Sequence, residues 1–227
     1  MIIGNTPIIR LENMTGKESA SVYVKLEKFN QSGSIKARVA QQMILDAEMN
    51  GVLTPNIGQT LIEPTGGNTG AGLAMIGAKR GYEVILVIPD NFSKEKTQIM
   101  QLYGAKVIHS NSKLGNDSHI KLVEEIVQEK PNYVYLNQFT NPSNPKAHYK
   151  FTGNEILKEL DNIDCFVAGV GSGGTITGIG KRLKEINKNT LIYGVQPKGC
   201  DVINGIGVKH KIEGIGLGII PPVLPKN

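Results

Sequence analysis

Hydrophobic positions fall into two alternating kinds of run along the chain. Short runs rich in Val, Ile and Tyr predict strands: VYVKLE (22–27), TLIEP (60–64), EVILVIP (83–89), KVIHS (106–110), YVYL (133–136), CFVAGV (165–170) and LIYGVQP (191–197). Between them, apolar residues recur at helical spacing. In KARVAQQMILDAEMNG (36–51) Val39, Met43, Ile44 and Ala47 share one face. SKEKTQIMQLYG (93–104) opens on Ser93 as an N-cap and closes at Gly104, and GNDSHIKLVEEIVQEKP (115–131) is stopped by Pro131. Strand–helix alternation of this kind predicts an α/β fold with mainly parallel sheets covered by helices. QFTNPSNPKAHY (138–149) breaks the rhythm with Pro142 and Pro145, and reads as a long loop or crossover.

Composition narrows the function classes. With 227 residues, 40% hydrophobic and 20% charged, the chain can build a substantial core. The net charge of +5 is spread along the sequence, and aromatic residues make up 5% with no Trp. Neither a basic patch nor a stacking surface is expected, so nucleic acid is not an expected partner. No apolar run is long enough to cross a membrane, no signal peptide opens the chain, and a cytoplasmic location is expected. Cys165 and Cys200 form no CxxC pair, and the histidines show no zinc spacing, so no metal is expected. Cys165, inside CFVAGV, reads as a small core residue.

The 27 glycines carry more information, because glycine serves where backbone must approach a ligand closely or take a positive φ. In parallel α/β sheets ligands bind at the carboxyl ends of strands. EPTGGNTGAG (63–72) and AGVGSGGTITG (168–178) each run from a strand through a glycine turn into a helix, which is a ready anion site. In the second, Gly171, Gly173 and Gly174 with the hydroxyls of Ser172 and Thr175 would cradle a phosphate. A dinucleotide loop is the competing reading. It needs an acidic residue at the end of the next strand, where this sequence offers Gln196. A third constellation, NQSGSIKAR (30–38), predicts a helix with Ser34 as N-cap and Lys36 in the first turn. The helix dipole opposes a cation there and would favour a free amine. Placement alone does not distinguish Lys36 from a solvated lysine, nor a glycine turn from a plain βα turn.

Taken in order, these motifs resemble the cysteine synthase and cystathionine β-synthase family of pyridoxal-phosphate (PLP) enzymes. IGNTPIIRL (3–11), KLEKFNQSGSIKAR, EPTGGNTGAGLAM, the QF–NPSNP segment, VAGVGSGGTITGIG and HKIEGIGLGIIPPVL (210–224) all match the family pattern across nearly the whole chain. FSKEKTQIM (92–100) looks closest to a bacterial branch holding both activities. The resemblance implies two three-layer α/β domains of the tryptophan-synthase-β kind, residues 39–142 forming the smaller and 1–38 with 143–227 the larger. It implies PLP carried on Lys36, with Asn68 at the cofactor ring oxygen and Gly171, Ser172, Gly173, Gly174 and Thr175 at its phosphate. Thr65, Gly66, Asn68, Thr69 and Gln138 match the site for the substrate carboxylate. The implied reaction is β-replacement on O-acetylserine by sulfide, giving cysteine, or by homocysteine in the cystathionine β-synthase variant. Lys36 would move the α-proton. The family forms homodimers, and its members bind the C-terminal tail of serine acetyltransferase, so a non-catalytic relative holding that partner is a second expectation.

Several positions depart from the family pattern. Gly66 stands where the family often has Ser or Ala, Ala37 where it has Asp, and Gln31 where it has Pro. The family continues beyond the KIEGIG stretch into a Ser/Thr-bearing segment that bonds the cofactor's ring nitrogen. The larger domain is therefore expected to be incomplete at its C-terminus and to expose apolar surface.

Overall fold

The seven-residue strand EVILVIP sets the architecture, because its side chains alternate between two apolar layers. The computed structural model describes residues 1–13, 16, 18–65, 67–115 and 117–225. Two short strands, β1 (Ile8–Arg10) and β2 (Tyr23–Lys25), pair antiparallel ahead of helix α1 (Lys36–Met49). There follow β3 (Thr60–Pro64), α2 (Asn68–Lys79), β4 (Glu83–Pro89), α3 (Lys94–Leu102), β5 (Lys106–Ser110), α4 (Ser118–Glu129) and β6 (Tyr133–Tyr135). These four strands form one parallel sheet in the order β5-β4-β3-β6. Val84, Leu86 and Ile88 face a core built with Val39, Met43 and Ile44 of α1, Leu73 and Ile76 of α2, and Met100 of α3. Ile85 and Val87 face the opposite way, against Val123 and its neighbours on α4. The sheet is thus covered on both sides, as continuous apolar runs in a parallel sheet require.

Helix termini follow the local chemistry. Ser93 Oγ accepts from the Lys96 N–H at the start of α3, and Gly104 takes a left-handed φ of 89° just beyond its end. The segment around 138–149 differs from the expected loop. Helix α5 (Ser143–Ala147) begins there and continues through a π-helical turn (His148–Thr152) into α6 (Gly153–Glu159). Pro142 is its N-cap and Pro145 lies in its first turn. Backbone N–H groups at those positions have no helical acceptor anyway, so proline costs nothing there. β1 is a further departure, since IIR was not among the expected strands.

The second parallel sheet has two strands, β7 (Cys165–Gly169) and β8 (Leu191–Val195), joined by α7 (Gly174–Ile186). One face packs through Phe166 on Ile179 and Leu183 of α7 and Ile156 of α6. The other face is exposed. Register pairs Cys165 with Leu191 and Val167 with Tyr193, and all four are solvent-exposed. Cys165 is therefore not a core residue: its strand parity turns it to the face that no described helix or strand covers, and that Ile215 reaches only at Gly169. An ion-pair network ties the N-terminal hairpin region to this part of the molecule. Arg38 of α1, buried, bonds Glu27 and Glu155, and Lys25 also pairs with Glu155. Burial pushes Glu155 up, but the Arg38 guanidinium and Lys25 hold its carboxyl down at about 2.

Candidate active site

Three chain segments converge at the carboxyl ends of β3 and β7. Lys36 is the first residue of α1, and its N–H is capped by Ser34 Oγ at 3.2 Å, so Ser34 supplies the expected capping bond from one residue ahead of the formal N-cap, Ile35. α2 packs on α1 so closely that a Cβ at Gly72 would lie 3.2 Å from the Lys36 carbonyl oxygen. Asn68 and Thr69, at the start of α2, lie about one turn ahead of Gly72 along that helix.

The Lys36 side chain reaches across to the loop after β7. Its Nζ donates to Ser172 Oγ at 3.0 Å. No carboxylate pairs with it among the described residues. Lys36 retains some accessible surface as a residue, while its amine is enclosed by protein, and burial lowers its pKa to about 8. An amine so placed carries an appreciable uncharged fraction near neutral pH, which a nucleophilic or proton-accepting lysine requires.

The loop that receives it is built for close approach. Gly173, the N-cap of α7, has a left-handed φ of 81°. A Cβ at Gly174 would lie 1.9 Å from Asn144 Oδ1, so only glycine fits. Gly171, Ser172, Gly173 and Gly174 are buried, and with Thr175 their N–H groups find no acceptor among the described residues. Buried N–H groups without partners at a helix start call for an anion. Thr175 Oγ1 meets His148 Nε2 at 3.2 Å, and His148 Nδ1 meets Thr152 Oγ1 at 3.0 Å. Burial, then the charges of Lys36 and Arg38, hold His148 well below its ordinary pKa, so it is neutral.

A continuous hydrogen-bonded path links this loop to the one after β3. Asn144 Nδ2 donates to Ser172 Oγ (3.0 Å) and to the Gln138 carbonyl (2.7 Å). Thr69 Oγ1 donates to Gln138 Oε1 at 2.7 Å, and Thr65 Oγ1 accepts from the Gly67 N–H at 3.3 Å. Thr65, Thr69 and Gln138 are buried. Asn68 is exposed, and its side chain has no hydrogen-bond partner among the described residues. Gly66 lies outside the described residues. Lys36, Ser172, Asn144, Gln138 and Thr69 thus stand along one path, while Thr175 belongs to a separate chain through His148 to Thr152.

Three residues of this assembly carried no signal that spacing or composition could isolate. Asn144 sat in a segment read as loop. His148 was one of four scattered histidines. Glu63 was legible only as a charge at the end of an apolar strand.

A protein-family comparison matches residues 1–226 to the family described as pyridoxal-phosphate dependent enzyme. The chain belongs to that family. A probable cysteine synthase of Bacillus subtilis (strain 168) is 44% identical over 231 residues, covering 100% of this chain and 74% of that protein. A cystathionine β-synthase of Apis mellifera is also 44% identical, covering 99% of this chain and 46% of its own length. Among solved structures, an O-ureido-L-serine synthase superposes with a TM-score of 0.93 at 37% identity, covering 98% of this chain and 70% of that one. The cysteine synthase of Entamoeba histolytica superposes with a TM-score of 0.91 at 38% identity, covering 99% and 68%. These relatives place the chain within the cysteine synthase and cystathionine β-synthase group, with its α/β fold and parallel sheets.

The residues present fit the family's cofactor. Unpaired N–H groups at 171–175, those of 171–174 on buried residues, suit a phosphate, and an enclosed amine of lowered pKa stands 3.0 Å from the hydroxyl in that same loop. A phosphate and a reactive carbonyl on one small molecule would meet both.

Proposed function

We propose that this protein is a PLP-dependent enzyme of β-replacement, converting O-acetylserine and sulfide to cysteine and acetate. The observation that carries the reading is the enclosed Lys36 amine bonded to Ser172 in a loop of unsatisfied N–H groups. In this reading Lys36, Asn68, Gly171, Ser172, Gly173, Gly174 and Thr175 hold the cofactor. Thr65, Gly66, Thr69 and Gln138 hold the substrate carboxylate. PLP, when bound, supplies an electron sink for the substrate α-carbon.

The chain's own residues do the rest. The N–H groups at the start of α7 neutralise phosphate charge, aided by the helix dipole. Neutral His148 orients the Thr175 hydroxyl without adding a competing charge. Thr69 and Gln138, already bonded to each other, fix the substrate carboxylate and so aim the α-hydrogen at Lys36. The Lys36 amine, whose hold on a proton burial weakens, takes that proton in its uncharged form and returns it after acetate has left and HS⁻ has added. Atoms balance: O-acetylserine and HS⁻ give cysteine and acetate. Residues 39–142 and the combination of 1–38 with 143–227 are proposed as the two domains flanking this cleft. A homodimer in the cytoplasm and docking of a serine acetyltransferase tail are further parts of this reading.

The similarity to a cystathionine β-synthase supports a second acceptor, homocysteine, on the same site. Measuring kcat/KM with O-acetylserine and either sulfide or homocysteine separates the two.

The decisive test is an absorption spectrum of the purified chain titrated with PLP, then with O-acetylserine. A protein-bound cofactor band that shifts on adding the amino acid is expected. Lys36→Ala should abolish that band and lower turnover by roughly 10²–10⁴-fold. No band at any PLP concentration would sink the reading.

A further inference from the structure

Glu63 is a buried charge beside this site that the proposed mechanism leaves without a task. It lies in β3, 1% exposed, two residues ahead of Thr65. No lysine, arginine or histidine pairs with it among the described residues. Its two oxygens instead accept two consecutive backbone N–H groups: Oε2 from Asn137 at 3.0 Å, and Oε1 from Gln138 at 2.9 Å. Asn137 holds a left-handed φ of 53°, which asparagine accommodates more readily than most non-glycine residues and which turns the chain sharply here. Both N–H groups lie just past the end of β6, beyond the last register pair, Ile62 with Tyr135. The sheet ladder therefore does not satisfy them, and the Glu63 carboxylate substitutes for the missing strand.

What hangs from that turn is the substrate end of the hydrogen-bonded path. The Gln138 side chain bonds Thr69, and the Gln138 carbonyl anchors Asn144, which in turn bonds Ser172. We propose that Glu63 is a positioning residue for the amino-acid carboxylate site, acting through the Asn137–Gln138 backbone to aim Gln138 and to link it to the loop at Ser172. The inference rests on the reading of Gln138 as a carboxylate ligand given above.

The chemistry explains why a carboxylate is retained in an apolar strand. A buried ionised group is costly, and a neutral side chain with one acceptor would leave one of the two N–H groups unpaired. Burial raises the Glu63 carboxyl to about 7, against the opposing pull of the Gln138 and Asn137 N–H groups, and no charged side chain contributes. The titratable neighbour that senses it is Tyr135 on β6, whose phenol is pushed up by burial and then by the charges of Glu63 and of Glu124 on α4. Protonation replaces one acceptor with a donor and releases one of the two amides. The turn is thus held tightly above neutral pH and loosened below it.

Two measurements test this. In ¹⁵N–¹H spectra of the full chain without ligand, the Asn137 and Gln138 amides should move together through one step near neutral pH. The same amides should be flat in Glu63→Gln. In steady-state kinetics, Glu63→Gln should raise KM for O-acetylserine about tenfold. The PLP absorption band should be unchanged and kcat altered far less. Gln138→Ala should show the same KM defect, and the double variant no further loss, because both changes cut one path. Amides that do not titrate in the parent chain, or losses that add in the double variant, overturn the inference. A parent chain that binds PLP but no O-acetylserine overturns the proposed function itself. A parent and a Glu63→Gln variant that bind it equally overturn the positioning role alone. The parent titration needs no variant, so a Glu63→Gln chain that misfolds still leaves a result that decides.

Discussion

The four-stranded sheet β5-β4-β3-β6 and the two-stranded sheet β7-β8 obey the same local rules and reach different states of burial. β4 has six consecutive buried residues, Val84 to Pro89. In β7 and β8 the corresponding apolar positions are half-buried or exposed, with Val167 57% and Tyr193 53% accessible. Both sheets are parallel, and both end in a glycine turn that starts a helix. The difference lies in layers: helices cover both faces of the first sheet, while α6 and α7 cover only one face of the second. A strand's apolar content therefore states its capacity for burial, and the number of layers decides how much is used. The site draws on both. The Lys36 amine, the phosphate-type loop and Glu63 are all enclosed, although the loop springs from the sparsely covered sheet.

The comparison yields measurable contrasts. Leu86→Ala, in the doubly covered sheet, should cost about 3–4 kcal/mol in denaturant unfolding, through lost burial and a cavity that α1, α2 and β4 cannot collapse. A cost below 1 kcal/mol would show that this core is loose. Next in size is the pH dependence carried by Glu63. Its folded pKa of about 7 lies above the ordinary 4.5, so the folded chain binds this proton more tightly than the unfolded chain does. Stability then falls as pH rises from about 5 to about 7, by on the order of 3 kcal/mol, and is level beyond. Glu63→Gln should lack that slope, which melting curves across the same range would reveal.

Lys36 acts in the opposite sense. Its folded pKa of about 8 lies below 10.5, so the folded state binds its proton less tightly, and stability rises with pH between those values. Below about 8 the buried ammonium is a net cost. Lys36→Met should therefore stabilise the cofactor-free chain at pH 7 by about 2 kcal/mol, the lost Ser172 bond being included, while abolishing PLP uptake. A lower melting temperature for the variant would contradict this. The smallest effect is expected on the open face of β7-β8. Val167→Thr should change stability by less than about 0.5 kcal/mol, since half of the side chain already meets water. Sedimentation at increasing concentration should show the variant self-associating less than the parent, because that face presents Val167, Leu191, Tyr193 and Val195 together.

Much of this was legible along the chain because it depends on neighbours in sequence. Alternating strand and helix runs follow from residue spacing, the Ser93 cap and the Gly104 stop from side-chain chemistry within a few positions, and the glycine turn at 171–174 from the need for close backbone approach. Family pattern supplied Lys36 as the candidate cofactor lysine, since no local feature separates it from a solvated one. Prolines at 142 and 145 misled, because the same residue that breaks a helix interior is tolerated in its first turn. Cys165 misled for a related reason: strand parity is visible in sequence, but which face receives a covering layer is not. What only the tertiary structure decided is the joining of Lys36 to Ser172, of Asn144 to both Ser172 and Gln138, and of Glu63 to the turn that carries Gln138. Apart from the local bond between Asn144 and Gln138, these contacts join residues far apart in sequence, which meet only because two strand ends and a helix start meet in space. The sequence by itself determined Lys36 as the candidate. The enclosure and lowered pKa of its amine came from the packing of α1 against the loop after β7, because desolvation belongs to the surroundings of a charge and not to the residue that bears it.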